Sequence, residues 1–167
     1  PTWLRRQRQM CIRDRYMKYD SYYYNDTLRT NTLHVKRLSA TLKPSEGDYL
    51  YNTSEAEYFE DDIGALAFMP RPMDGDSLEI KLSDALGVDL FEKFQEKEIT
   101  TSDQFKDYFK GIALIPGQTD NGSVIGFTKS SESIFVRLYF REAEETERVQ
   151  SYLDLNMDVI SSPVPFF

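Results

Sequence analysis

The sequence has very little of the residue types on which recognisable active sites are built. It contains one cysteine and one histidine in 167 residues. A single cysteine excludes an internal disulfide, and a single histidine leaves at most one candidate base for Ser/His/Asp catalysis. No nucleophile motif, glycine-rich phosphate loop or CxxC pair accompanies them. We therefore predict no catalytic residue, no metal site and no cofactor, and interpret His34 as a partly exposed strand residue.

Long apolar stretches are also missing. No run is long enough to span a bilayer, and residues 1–12 lack the apolar segment that follows the basic start of a secretory signal. Cys11 is preceded by Arg8, Gln9 and Met10, which differ from the small, apolar run of a lipoprotein cleavage site. The sequence therefore contains no predicted membrane span, signal peptide or lipid-anchor cysteine.

Basic residues are scarce outside the first 15 positions. Residues 1–15 hold five arginines and one aspartate, which leaves 15 basic and 27 acidic residues, a net charge of −12, in the remainder. This negative charge disfavours binding to nucleic acid and to anionic membrane surfaces, because binding to either needs clustered Lys and Arg. Calcium or a neutral ligand remains compatible with this charge.

The chain divides into three predicted parts. Residues 1–15, PTWLRRQRQMCIRDR, differ from the rest in charge and hydrophobic period and are interpreted as a non-native leader resembling translated adapter sequence; a basic arm for nucleic acid is the alternative. Residues 16–160 form one domain, long enough for a stable core. Residues 161–167 are expected to lead into a missing C-terminal part.

Two short helices are predicted, over about 83–95 and 102–110. Ser83 and Asp84 are suited to begin the first helix, and Leu86, Leu90, Phe91 and Phe94 form its apolar stripe. Thr101 and Gln104 have the spacing of a capping box at the start of the second helix. Its Phe105 and Phe109 are expected to face the core, and Gly111 to end it.

About eight segments have the alternation or the composition of strands. They outnumber the helices, so we predict a mainly β fold, an antiparallel β-sandwich with two short helices.

Three local features of the strands are also predicted. The change of apolar face between Val35 and Leu38 predicts a bulge. Residues 124–127 and 133–140 are predicted to pair with each other, and the acidic run from Glu55 to Asp62 is interpreted as a solvated loop, with a calcium site as the alternative.

Five tyrosines lie between positions 16 and 24, followed by a probable turn at Asn25 and Asp26. Packing within strands is the simpler explanation for them. The alternative is a platform on which sugars stack, because tyrosine offers a flat apolar face with a polar tip. Tyr19, Tyr22 and Tyr24 are the candidate ligand-binding residues, expected to lie on one face of a strand.

Several segments together carry a family resemblance. They are LEIKLSDALG, DLFEKF, SDQFKDYFKGIALIPG, NGSVIGF and IFVRLYF, with YYYNDTL, VKRLSATL and YLYNTSE upstream, between about Tyr22 and Phe140. In this order they resemble the domain-of-unknown-function family numbered 4270, which occurs in lipoproteins of Bacteroidetes. The resemblance implies an extracytoplasmic protein of the cell envelope or outer membrane, attached to the membrane only through a lipid anchor outside this fragment.

The expected function is a non-catalytic structural or binding module of such an envelope lipoprotein. Its partner would be a glycan or an envelope protein, and no nucleic acid. The alternative is a glycan-binding module or a glycoside hydrolase, because glycoside hydrolysis needs only two carboxylates and leaves almost no sequence signature.

Overall fold

The computed structural model describes residues 10–42, 55–74, 77–120, 122–130, 132–140 and 151–156. In these ranges the chain forms eight strands and two helices. The strands are β1 (Met10–Tyr24), β2 (Asn31–Leu38), β3 (Tyr58–Phe68), β4 (Ser77–Ile80), β5 (Ile112–Pro116), β6 (Val124–Phe127), β7 (Ile134–Phe140) and β8 (Ser151–Asn156); the helices are α1 (Asp84–Gln95) and α2 (Ser102–Tyr108). Among the described residues, neither helix has the length and apolarity needed to cross a membrane. The mainly β prediction with two short helices is confirmed.

Sheet I is built around the long strand β1. Its order is β4-β1-β7-β8, and β6 also pairs with β1; every pairing is antiparallel. The amide of Lys18 donates to the carbonyl of Ser133, at the start of β7, while the carbonyl of Lys18 accepts from the amide of Thr128, at the end of β6. The N–H and C=O of one strand residue point to the same side, so β6 and β7 lie one after the other along one edge of β1. The predicted pairing of these two segments with each other is therefore wrong.

Sheet II contains three antiparallel strands in the order β3-β2-β5. Its register shifts between Val35 and Lys36, and again between Lys36 and Leu38, where the bulge was predicted. The acidic run was expected to be a loop, but β3 begins at Tyr58 and includes Asp61 and Asp62. Pairing with β2 imposes this strand, and the acidic side chains remain exposed because they need water rather than core contacts.

The core lies between the two sheets and is covered by α1. Strands β1, β4 and β7 of sheet I contribute inward-facing side chains to it, and β2 of sheet II contributes Val35. The helix α1 and the segment before it contribute three leucines. The buried cluster comprises Met17, Tyr19, Val35, Leu78, Ile80, Leu82, Leu86, Leu90 and Leu138. Alternation in the strands and the apolar stripe of α1 thus converge on one core, as expected for a sandwich.

The helices begin where the sequence indicated. Thr101 and Gln104 form the capping box. Ser83 occupies the N-cap of α1 but makes no side-chain capping bond; its amide instead donates to the Ile63 carbonyl of β3 at 2.6 Å. The second helix ends at Tyr108, two residues early, and Gly111 follows with φ +129°.

The two helices are joined by stacked phenylalanines. Phe94 of α1 stacks on Phe105 at a centroid distance of 6.0 Å, and Phe105 stacks on Phe109 at 5.7 Å. All three rings are half-buried and pack against the core. The predicted inward face of α2 is therefore confirmed, although no residue of this short helix is fully buried.

Some sequence predictions concern residues at or beyond the limits of the described ranges. Residues 10–15 of the predicted leader form the first part of β1. Backbone pairing does not depend on the origin of a segment, so the non-native leader stays a prediction. Residues 157–167, which include the predicted exit at 161–167, lie outside the described residues.

Candidate functional site

A bulge in β1 separates Tyr19 from the three tyrosines that follow it. Tyr19 is opposite Phe127 and Tyr23 is opposite Ile125, so the three residues from Asp20 to Tyr22 face the single residue Gly126 of β6. Extra residues in one strand bend it and increase its twist. Because two residues are extra here, Tyr19 and Tyr23 keep the same face of the strand, and Tyr22 and Tyr24 lie on the other.

Tyr19 belongs to the core. Its side chain is 6% exposed and stacks on Phe127, with ring centroids 5.2 Å apart. Tyr23 is opposite Ile125, which packs against the core, so it lies on the same side of the strand as Tyr19, although its side chain is 46% exposed there. Tyr19 and the other two candidates thus do not share one face, and the expected row of three rings is not present.

Tyr22 and Tyr24 flank Tyr23 and therefore lie on the outward face of the strand. They are 58% and 69% exposed, and Val124, directly opposite Tyr24, is 60% exposed. We call Tyr22, Tyr24 and Val124 the tyrosine platform. It is an apolar outward surface at the end of sheet I, and the backbone positions of its two tyrosines are about 7 Å apart at about 3.3 Å per residue.

The platform segment is held at both of its ends. Before it, Ser21 has φ +70°, and the carboxylate of Asp20 accepts a hydrogen bond from the Tyr22 amide at 2.8 Å. After it, Asn25 has φ +74° and donates from Nδ2 to the Gly122 carbonyl at 3.0 Å. These contacts fix the backbone of Tyr22–Tyr24 before any ligand arrives, which lowers the entropic cost of binding.

Sequence reasoning did not identify Asp20 and Gly126 as parts of this site. A β-carbon added to Gly126 would lie 2.2 Å from Oδ1 of Asp20, so the carboxylate packs against the bare backbone of that glycine. The available signal was the Asp20-Ser21 pair, since aspartate often hydrogen-bonds the backbone two residues on. The turn expected at Asn25 and Asp26 is confirmed, because Asp26 accepts from the Leu28 amide at 2.8 Å.

A second polar cluster connects the helices to sheet II. Arg37 donates to the Tyr108 carbonyl at 2.8 Å, lies 3.7 Å from the carboxylate of Asp89, and stacks on the Tyr108 ring at 4.7 Å. The Tyr108 hydroxyl donates to Asp89, and burial, followed by that hydrogen bond, raises the pKa of Tyr108. The groups of this cluster bind one another, so we assign it to anchoring the helices.

His34 pairs with Asp62 on the surface of sheet II. Its Nδ1 lies 2.7 Å from Oδ2 of Asp62, and both side chains are 37% exposed. The prediction of a partly exposed strand histidine is therefore confirmed. A hydrolytic triad also needs a hydroxyl or thiol nucleophile on the other ring nitrogen, and no described residue supplies one there.

A shallow groove lies where β3 meets the segment after β4. It has a volume of about 360 Å³ and is lined by Asp62, Ile63, Gly64, Ala65, Lys81, Leu82 and Ser83. Asp62 is the one carboxylate among these lining residues, whereas glycoside hydrolysis needs two facing each other. In the described part of the chain, no three His, Cys, Asp or Glu side chains come together to hold a metal.

Comparisons with known proteins leave the family of this chain undetermined. No family model, curated protein or solved structure matches it. The resemblance to the family numbered 4270 therefore stays a prediction based on the order of its segments.

Proposed function

We propose that this chain is a non-catalytic binding module of an exported, lipid-anchored bacterial envelope protein, and that it binds a neutral glycan. The observation that supports glycan binding is the outward exposure of Tyr22 and Tyr24, both more than half exposed on a segment fixed at each end. Exposed aromatic rings on a fixed backbone provide contact area, and binding to them costs little loss of side-chain freedom.

The chemistry of the platform favours sugars over charged ligands. Tyrosine rings accept the C–H faces of sugar rings, and their hydroxyls exchange hydrogen bonds with sugar hydroxyls. The net charge of −12 outside residues 1–15 repels nucleic acid and phosphorylated metabolites. The backbone positions of Tyr22 and Tyr24 are about 7 Å apart, so their two rings can contact successive sugars, and the proposed ligand is an oligosaccharide.

The proposed location is supported by the family resemblance described above. Under this proposal the lipid anchor lies outside the 167 residues, and membrane attachment needs no contact from the domain itself. Sequencing the complete reading frame tests it: a signal peptide and a lipobox cysteine before the domain are expected. A reading frame that lacks a signal peptide and continues directly into a cytosolic enzyme domain would contradict the envelope location.

Glycan binding is tested by screening the folded chain against immobilised neutral oligosaccharides and comparing single alanine variants. We expect Tyr22→Ala and Tyr24→Ala each to weaken binding about tenfold, which corresponds to about 1.4 kcal/mol. Their melting temperatures should stay close to that of the parent chain, because exposed substitutions usually change stability by less than about 0.5 kcal/mol.

Tyr58→Ala is the matched control for the two platform variants. Tyr58 is 40% exposed but lies on β3 in the other sheet, so its loss should leave glycan binding unchanged. If the parent chain binds no glycan, or if all three variants bind alike, the platform is not a sugar site. A structural role or a protein partner would then remain.

A further inference from the structure

The carboxylate of Asp20 lies beside the tyrosine platform on its outward side. Gly126 alternates with Ile125 and Phe127, which pack against the core, and so faces outward with Val124. Both oxygens of Asp20 lie over this glycine, 2.2 and 2.5 Å from where a β-carbon would stand. The exposed surface therefore combines two rings, one aliphatic side chain and one carboxylate.

The position of this carboxylate is maintained by strained backbone. Ser21 adopts φ +70°, a conformation that residues other than glycine rarely take. The bulge and the bond from the Tyr22 amide to Asp20 hold this conformation. Such strain persists where the surrounding structure enforces it, and it is concentrated at ligand sites.

We infer that Asp20 is a ligand-binding residue, which accepts hydrogen bonds from hydroxyl groups of the sugar stacked on Tyr22 and Tyr24. This inference rests on the proposed glycan-binding function. A carboxylate has about four acceptor positions, and the bond from the Tyr22 amide uses one. Sugar hydroxyls are donors that satisfy the others, whereas a phosphate or an acidic sugar would be repelled at this point of the platform.

Asp20→Asn tests the inference with little change in structure. Asparagine keeps an oxygen that can accept from the Tyr22 amide, but it loses the charge and half of the acceptor capacity. With the strongest neutral oligosaccharide from the screen as the probe, we expect isothermal titration calorimetry to show about tenfold weaker binding. Gly126→Ala displaces the same carboxylate without altering its charge and should weaken binding as well.

Asp26→Asn is the matched control. Asp26 also accepts from a backbone amide two residues on, at 2.8 Å, and it lies close in sequence to the platform. This variant removes one negative charge from the same region, so a general electrostatic effect would change both affinities alike. We expect Asp26→Asn to bind as the parent chain does.

The outcomes separate this inference from the proposed function. If the platform variants lose binding but Asp20→Asn does not, or if Asp20→Asn and Asp26→Asn lose it equally, Asp20 is not a binding residue although the glycan site stands. If the parent chain binds no glycan, both the function and the inference are wrong. Deoxy analogues of the probe identify the donor: with the right hydroxyl removed, Asp20→Asn should weaken binding no further.

Discussion

Replacing Leu90 with alanine is expected to lower the free energy of unfolding by about 2 to 5 kcal/mol. Leu90 is 0% exposed and lies at the centre of the apolar stripe of α1, where the helix covers the core. The shorter side chain loses its transfer free energy and leaves a cavity, because packed neighbours relax only partly. For a chain of this length we expect a melting temperature lower by roughly 4 to 20 °C.

Val88→Ala is the control for this prediction. Val88 lies on the same helix, two residues before Leu90, but is 43% exposed. Its replacement should change the melting temperature much less, because a large part of its surface already contacts water in the folded chain. Equal losses for the two variants would mean that the helix presents a different face to the core.

Replacing Gly64 with alanine is expected to destabilise the fold by about 1 to 3 kcal/mol. Gly64 is the β3 residue that forms an isolated bridge to Leu82, where sheet II meets the segment that follows β4 of sheet I. An added β-carbon would lie 2.8 Å from the carbonyl oxygen of Lys81 and 2.9 Å from a methyl group of Leu82. The first contact involves backbone, so the two segments must separate to relieve it.

Urea unfolding measures this change, with Ala65→Ser as the control. Ala65 is the next residue of β3 and is exposed, so a hydroxyl there should change stability by less than about 0.5 kcal/mol. A Gly64→Ala variant as stable as the parent chain would show that β3 and Leu82 are not in close contact.

The helices could be predicted from sequence because each depends on contacts between residues close in the chain. The capping box of Thr101 and Gln104 lies within one turn, and Leu86 and Leu90 are four residues apart on one stripe. The pairing of β6 with β1, rather than with β7, could not be predicted in this way. Alternation shows that a segment is a strand, but it does not identify the partner.

The tyrosine site was predictable in part for the same reason. Tyr22 and Tyr24 were expected to share a face, and their spacing of two residues places both outward. Tyr19 was expected to join them, but it stands three positions before Tyr22, and a separation of three places two residues on opposite faces of a strand. The bulge at Asp20 and Ser21, by contrast, depends on pairing with β6, about 100 residues further along the chain, and alternation does not indicate it.

The pairing of β1 also determines the order in which the fold can assemble. Its ladder partners lie between 59 and 130 positions later, from Ser77 opposite Lys18 to Phe140 opposite Met10. At a synthesis rate of about 5 to 20 residues per second, roughly 3 to 12 s pass before β4 follows β1 from the ribosome. Since distant pairings are also slow to form, the edge of β1 that later takes β6 and β7 stays unpaired at least until Val124 and the residues after it have been made, and it is then open to association with other chains.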